Sequence, residues 1–368
     1  MAGKRPHRFL LGKVQGDLGN KLVPRDMKTA LQGLFPEELQ SLCKEIGQPA
    51  FRGRQLWQWL QVSHADDWDQ MGNLPRALKQ ALADTHTPRP ARLLKESGDP
   101  GGARKWLLGL DDGESIETVL IPARERNTVC VSTQVGCRMG CAFCASAKGG
   151  YARNLSAGEI VAQVQAVAAV LGRRPDNVVY MGMGEPFDNY DAVLKSIRIL
   201  NHPDGLNIGA RRITISTSGV IPGIRRLAEE GLQVELSVSL HAANSELRRR
   251  LMPVENKYPL DELLEACADY TAQTKRHITF EYTLIRGVND AREDAEQLAE
   301  RLRRFPCRVN LIPLSPVEEF QGAAPPRSAM EEFLRVLEKR GVEGTLRDSK
   351  GKNVDAACGQ LRRRAHHT

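Results

Sequence analysis

Three cysteines in one short loop constrain this chain more than any other feature. They are Cys137, Cys141 and Cys144, in a C-x3-C-x2-C spacing, and they follow a run rich in strand-compatible residues that predicts a buried strand from Cys130. Gly136 and Gly140 let the loop turn tightly enough for three thiolates to converge, as ligation of an iron-sulfur cluster requires. Because a cubane cluster has four corners, three ligands leave one iron open to a small molecule.

Two other interpretations of this loop stay open. A structural zinc site needs four protein ligands, and Cys130 could supply the fourth. A disulfide is the second alternative. The chain has eight cysteines and no signal-peptide pattern, which predicts a reducing, cytoplasmic compartment where metal or catalytic use outranks structural disulfides. No apolar run reaches the length of a membrane span, which predicts a protein without membrane contact.

Strands alternate with helices through most of the remaining chain. Predicted strands cover 177–182, 212–216, 234–240, 278–284 and 308–312, and predicted helices cover 192–200, 224–230, 260–271 and 294–304. With the cysteine strand, this alternation predicts an α/β fold in which about six βα units form a full or partial barrel. Two strands near 107–110 and 116–121, separated by an Asp-Asp-Gly turn, predict a short antiparallel addition.

Five segments follow from these patterns. They are a basic N-terminal extension (1–24), a helical accessory domain whose basic residues could grip phosphates (25–90), a β linker that carries Glu117 (91–127), the barrel core (128–345) and a C-terminal segment with a basic tail (346–368). Of the formal charge of +7, residues 1–24 carry a net +4 and residues 345–368 another +4, so the middle of the chain stands at −1. Basic ends suit a polyanionic partner, although solvated tails would have the same composition.

The cysteine motif, a strand and loop followed by a helix, resembles the entry motif of the radical S-adenosylmethionine (SAM) superfamily. That resemblance implies a [4Fe-4S] cluster whose open iron is chelated by SAM. Polar residues cluster where the predicted strands end, and such ends meet at one face of a βα barrel. Gly184 and Glu185 suit the methionine moiety of SAM. The other predicted SAM contacts are Ser216, Ser239, Leu240, His241 and Asn310.

A closer resemblance extends from the helical AFRGRQ region (50–55) to Leu361 and rests on seven motifs between residues 130 and 361. They are CVSTQVGC (130–137), RNL (153–155), GMGEP (182–186), STSG (216–219), SLH (239–241), NLIP (310–313) and DAACGQL (355–361). Together they resemble the RlmN/Cfr-type family of radical SAM RNA methyltransferases. The fold implied is a partial (βα)6 barrel with a small N-terminal helical domain.

The family resemblance implies methylation of adenine C2 in the peptidyl transferase centre of 23S ribosomal RNA and beside the anticodon of tRNA. Two SAM molecules are used per turnover. Cys358 takes a methyl group from the first, and the second, cleaved reductively at the cluster, gives a radical that abstracts hydrogen from that methyl so that it adds to C2. Glu117 then accepts the C2 proton, and Cys130 attacks Cys358 to release the product, leaving a transient disulfide. From the residues alone, Glu117 would be a solvent-facing strand residue.

The resemblance further implies an electron donor such as flavodoxin or ferredoxin and a monomeric enzyme. Two alternative functions remain. A Cfr-like enzyme would methylate adenine C8 with the same cysteines, and an RNA-binding iron-sulfur protein would use the cluster without catalysis.

Overall fold

The computed structural model describes residues 28–98, 101–123, 126–347 and 357–362. The predicted basic extension, 1–24, lies outside these ranges, as does most of the basic C-terminal tail. The strands, numbered in chain order, are β1 (Thr29–Ala30), β2 (His86–Thr87), β3 (Ala91–Gly98), β4 (Arg104–Leu110), β5 (Ser115–Ala123), β6 (Arg126–Cys130), β7 (Gln134–Gly136), β8 (Tyr151–Asn154), β9 (Asn177–Tyr180), β10 (Ile213–Thr217), β11 (Glu235–Ser239), β12 (Ile278–Leu284), β13 (Cys307–Pro313) and β14 (Glu343–Leu346).

The α-helices are α1 (Pro36–Glu45), α2 (Phe51–Trp57), α3 (Arg76–Ala83), α4 (Ala145–Lys148), α5 (Ala157–Leu171), α6 (Tyr190–Asn201), α7 (Ile221–Glu229), α8 (Ser245–Leu251), α9 (Leu260–Thr274), α10 (Arg292–Leu302) and α11 (Arg327–Lys339). A π-helix continues α2 over Gln58–Val62, and short 3-10 helices cover Leu31–Gly33, Trp68–Gln70, Pro186–Asn189, Ala210–Arg212 and Pro253–Asn256. In the described part of the chain, no helix has the length and apolar character needed to cross a membrane.

Ten strands form one sheet, in the order β14-β13-β12-β11-β10-β9-β6-β5-β4-β3. The seven strands from β14 to β6 run parallel to their neighbours, whereas β5, β4 and β3 continue the sheet as an antiparallel extension. The sheet ends at β14 and at β3, so the barrel is partial. The predicted α/β fold with an antiparallel addition is therefore confirmed, with β14 as a parallel strand beyond the predicted six.

The N-terminal helices pack directly on the barrel. Pro36 begins α1, and the Glu38 carboxylate accepts a hydrogen bond from the Phe35 N–H at 2.7 Å. The indole of Trp57, 2% exposed, donates to the Asp204 carbonyl at 2.8 Å, and the Gln165 amide on α5 donates to the Leu60 carbonyl at 2.8 Å. One apolar core runs through these helices and the barrel, so the N-terminal helices and the barrel pack as a single unit.

The strand predicted to run from Cys130 into the cysteine loop is interrupted. β6 ends at Cys130, and residues 134–136 form β7, which pairs with β8. Between the two, the Gln163 side chain on α5 accepts from the Ser132 N–H at 2.8 Å and donates to the Ser132 carbonyl at 2.9 Å. Because a side chain satisfies both backbone groups of Ser132, the ladder stops there and the chain is free to turn.

Candidate active site

The cysteine loop is held by the hairpin of β7 and β8, one strand on each side of it. Gly136 has φ +77°, and a Cβ atom at that position would lie 1.6 Å from the Gly150 carbonyl oxygen. The same oxygen accepts from the Cys137 N–H at 3.1 Å. The close approach of the two backbones therefore requires glycine, and it fixes where the loop begins.

The three loop cysteines line one cavity at the carboxyl ends of the parallel strands. Burial raises the pKa of the Cys137 thiol well above its usual value, and the neighbouring Cys141 and Cys144 raise it further. Burial and Cys144 likewise raise the pKa of Cys141 to about 12. The raised pKa values mean that forming several thiolates here is unfavourable without a counter-charge. A coordinated metal would supply that positive charge, because cysteine binds metals as the thiolate.

The cavity separates the three loop cysteines from Cys130. Among the residues that the structure describes, no group of three His, Cys, Asp or Glu side chains is arranged to hold one metal ion. Cys130 does not line the cavity, and Met183 and Leu361 belong to its apolar cluster. The zinc hypothesis therefore lacks Cys130, the fourth ligand that it named.

Glu185 is buried beside the cysteines, and the protein already binds its carboxylate. Oε2 accepts from the Ser218 N–H at 2.7 Å and Oε1 from the Phe187 N–H at 3.1 Å. Burial raises the pKa of Glu185, while these two donors oppose the shift. The Thr217 and Ser218 side chains lower the pKa in the same way, so this carboxylate lies in a polar part of the wall. Gly184, with φ +102°, comes too close to Gln134 for any side chain.

Three more predicted SAM contacts line the cavity, and two do not. Ser216, Ser239 and His241 are at its wall. Leu240 is buried, and its N–H donates to the Glu281 carbonyl. The Asn310 amide donates to Glu281 Oε1 at 3.2 Å. These contacts place both residues behind Glu281, which lines the cavity itself.

Glu281 is a cavity residue that the sequence analysis missed. It is 4% exposed, and its Oε2 atom has no hydrogen-bond partner among the described residues. Burial raises the pKa of this carboxyl, against the effect of Arg347. A buried acceptor without a donor is costly unless a ligand supplies one, so the cavity suits a ligand with hydroxyl or amino groups. The strand sequence around Glu281 carries no motif that would have marked it.

His241 is a neutral donor in this wall. Its Nδ1 atom accepts from the Thr283 N–H at 2.9 Å, so the ring proton lies on Nε2. Burial, with Arg248 nearby, lowers the pKa of His241 to about 3. The ring meets the Phe143 ring edge-on at 4.9 Å, which orients it beside the cysteine loop.

Two more predicted residues, Glu117 and Cys130, lie on one side of the antiparallel extension. Lys105, Val119 and Cys130 are cross-strand partners on β4, β5 and β6, and Glu117 lies two residues from Val119 on the same side. Lys105 Nζ contacts Glu117 Oε1 at 3.0 Å, with side chains 8% and 2% exposed. The interpretation of Glu117 as a solvent-facing residue is therefore wrong.

The C-terminal segment 357–362 brings Cys358 to the cavity. The Gly359 carbonyl accepts from the Ala145 N–H at 2.7 Å, just after the last loop cysteine, and the Gln360 amide donates to the Pro316 carbonyl at 3.0 Å. Leu361 packs with Val119, Cys130 and Met183. The Arg362 N–H donates to Glu117 Oε2 at 3.0 Å. The segment thus joins the cysteine loop to the Glu117 side of the sheet.

Cys358 lines the cavity and is exposed there, whereas Cys130 is buried. The surrounding protein raises the pKa of the Cys358 thiol, and Arg347 acts in the opposite direction. Burial raises the pKa of Cys130 to about 12, and the nearby Cys358 adds to that effect. The two thiols are therefore electrostatic neighbours, and all eight cysteines are free.

Comparison with known proteins agrees with this geometry. Residues 131–302 match the Radical SAM superfamily, and residues 29–87 match the ribosomal RNA large subunit methyltransferase N-terminal domain. The chain is 49% identical to a probable dual-specificity RNA methyltransferase RlmN of Moorella thermoacetica, over 90% of this chain and 96% of that protein. A protein with the same description from Symbiobacterium thermophilum is 50% identical, over 91% of both chains. The chain belongs to the RlmN family.

A solved structure supports the family assignment. A radical SAM methyltransferase from Sphaerobacter thermophilus is 47% identical, with a TM-score of 0.88 over 92% of this chain and all of that one. RlmN-type proteins are radical SAM RNA methyltransferases, and membership implies SAM and a [4Fe-4S] cluster. The cavity fits both, because three cysteines line it beside a buried carboxylate and an unpaired buried acceptor.

Proposed function

We propose that this enzyme methylates C2 of adenine in 23S ribosomal RNA and in tRNA, at the base beside the anticodon, with two SAM molecules per turnover. The observation that carries the proposal is one cavity lined by the three loop cysteines and by Cys358. A ligand at the loop and the Cys358 thiol would therefore be neighbours. The description of the relatives as dual-specificity enzymes supports two RNA substrates.

Adenine C2 carries a C–H group that is neither acidic nor nucleophilic, so a polar methyl transfer from SAM fails there. The cluster, when bound to Cys137, Cys141 and Cys144, supplies the electron that converts SAM into a hydrogen-abstracting radical. Glu185, Ser216, Ser239 and His241 are proposed to hold SAM beside it. His241 can do so only as a neutral Nε2–H donor, since its pKa is about 3.

Cys358 is proposed to carry the methyl group. Its thiolate attacks the methyl carbon of the first SAM, the bond from that carbon to the sulfonium breaks, and S-adenosylhomocysteine leaves. The position of Cys358 at the cavity wall supports this role. Burial raises the pKa of its thiol, and Arg347 acts against that shift. The methyl carbon, after losing a hydrogen atom, forms the new bond to adenine C2.

Glu117 and Cys130 are proposed to complete the reaction. The radical adduct would return one electron to the oxidised cluster, and the Glu117 carboxylate takes the C2 proton. The Cys130 thiolate then attacks the Cys358 sulfur, and the bond from that sulfur to the methylene carbon breaks. The released carbon takes up a proton, so that the methylated RNA leaves and a disulfide remains to be reduced. Both residues lie on the side of the sheet that contacts segment 357–362. The same proposal includes the five-segment division, in which the helical domain at 25–90 binds RNA. It also includes a flavodoxin or ferredoxin as the reductant and a monomeric state.

The decisive experiment is mass spectrometry of RNA treated with the cluster-loaded enzyme under anaerobic conditions. A 23S fragment and a tRNA are each digested to nucleosides after reaction with SAM and a reductant. We expect 2-methyladenosine from both and none with Cys358→Ala. The appearance of 8-methyladenosine would assign the Cfr-type reaction, and SAM cleavage without methylated RNA would overturn the proposal.

A further inference from the structure

Two donors bind the Glu117 carboxylate from opposite parts of the chain. Lys105 Nζ on β4 contacts Oε1 at 3.0 Å, and the Arg362 backbone N–H contacts Oε2 at 3.0 Å. Both side chains of the ion pair are buried. A single carboxylate therefore connects the antiparallel extension to the segment that carries Cys358, four residues before Arg362.

Other contacts hold the same segment, but they do not depend on a group that changes charge in the reaction. Gly359 and Gln360 make backbone and amide hydrogen bonds to neutral partners. The Arg362 guanidinium contacts Glu319 at 3.1 Å, and exposed pairs of this kind contribute little. The bond from the Arg362 N–H ends on a buried carboxylate, where charge strengthens it.

We propose that Glu117 is a charge-dependent latch of the Cys358 segment, with Lys105 as the positioning residue that keeps the carboxylate oriented. The proposal rests on the function given above for Glu117. When the proton moves from adenine C2 to Glu117, the carboxylate becomes a neutral acid and no electron is gained or lost. The latch opens at that step, and Cys358 becomes free to move towards Cys130.

The physical reason is the loss of charge between two donors. A hydrogen bond to a charged acceptor is worth about twice a neutral one, so the Arg362 N–H bond weakens once Glu117 is protonated. A proton on either oxygen also competes with a donor already there. The ion pair of Lys105 with Glu117, whose side chains are 8% and 2% exposed, also weakens when the carboxylate loses its charge. Lys105 and Arg362 both contact Glu117, and Cys130 lies on the same side of the sheet.

The test measures how accessible Cys358 is, without RNA or turnover. Cluster-loaded enzyme is treated with iodoacetamide, and the alkylation rate of Cys358 is read by peptide mass spectrometry. Glu117→Gln mimics the protonated state, and Arg362→Pro removes the N–H donor. We expect both to raise the rate about tenfold, the usual size of one charge-assisted bond. The matched control Arg362→Ala keeps the N–H and should stay within about twofold of the unaltered enzyme, as the weakness of exposed ion pairs predicts.

Lys105 is tested by substitution and rescue. Lys105→Met should raise the rate as Glu117→Gln does, and Lys105→Arg, which keeps a cation, should restore slow alkylation. If Lys105→Met fails to fold because it leaves a buried charge, the neutral pair Lys105→Met/Glu117→Gln takes its place with the same expectation. Unchanged alkylation in both Glu117→Gln and Arg362→Pro would overturn the latch. Glu117→Gln that alkylates rapidly but still methylates RNA would instead overturn the role of Glu117 as the base.

Discussion

The Arg248 guanidinium and the Glu255 carboxylate meet at 2.6 Å, and neither side chain has any exposed surface. Arg248 also donates to the Ser218 carbonyl at 2.7 Å, and Glu255 accepts from the Leu260 N–H at 3.1 Å. Ser218 is the residue whose own N–H binds Glu185. The ion pair therefore joins α8, the start of α9 and the end of β10 beneath the cavity.

Removing one partner of this pair should destabilise the protein strongly. We expect Arg248→Met to lower the free energy of unfolding by about 3–5 kcal/mol, because it leaves Glu255 buried and uncompensated. The double variant Arg248→Met/Glu255→Gln should recover part of the loss. Arg249→Met, on the exposed side of α8, is the matched control and should be nearly neutral. Urea unfolding followed by circular dichroism measures all three, and equal losses in Arg248→Met and Arg249→Met would contradict the expectation.

His241 should make the protein less stable as the pH falls. Its folded pKa is about 3, whereas an unfolded histidine has a pKa near 6.5. Above about 6.5 both states are neutral, and below it the unfolded state binds the proton first. Stability is therefore lost as the pH falls from about 6.5 towards 3, at up to about 1.4 kcal/mol per pH unit. His241→Gln should show a shallower slope in urea unfolding between pH 6.5 and 5, and exposed His277→Gln should not.

The strands that were predicted from the sequence are those with buried apolar residues. β9 to β13 each carry fully buried apolar residues, and the predicted strands match them. β3 and β14 were missed because they are the two edges of the sheet and are largely exposed, so their sequences lack an apolar pattern. Strand pairing, and not side-chain burial, defines these edges.

Some of the site could likewise be predicted from the sequence, and some could not. The spacing of Cys137, Cys141 and Cys144 is local, so one stretch of sequence predicts it. The ion pair of Lys105 with Glu117 and the bond from Arg362 to Glu117 come from cross-strand register and from the return of the chain end. No local pattern encodes either contact. For this reason the residues alone favoured an exposed Glu117, and only the family resemblance pointed to the role proposed for it.

Cys141 should be required for the cluster, and a cysteine elsewhere should not. We expect Cys141→Ser to abolish the brown absorbance and reductive SAM cleavage, because a serine oxygen is a poor cluster ligand. Cys307→Ser is the control, since Cys307 begins β13 away from the cavity and its thiol contacts the Leu302 carbonyl. Iron content and anaerobic cleavage assays measure both. Retained iron and cleavage in Cys141→Ser would remove the basis of the proposed function.

Cys130 and Cys358 should fail in different ways. Cys358→Ala should accept no methyl group and give no modified RNA, even with the cluster in place. Cys130→Ala should still be methylated on Cys358 and still react with RNA, but no thiolate remains to attack the Cys358 sulfur. The enzyme should therefore stay covalently bound to RNA, visible on a denaturing gel as a band that nuclease treatment shifts. A Cys130→Ala enzyme that is methylated and cluster-loaded yet forms no adduct would leave Cys130 as a buried strand residue, packed against Leu361 for structural reasons alone.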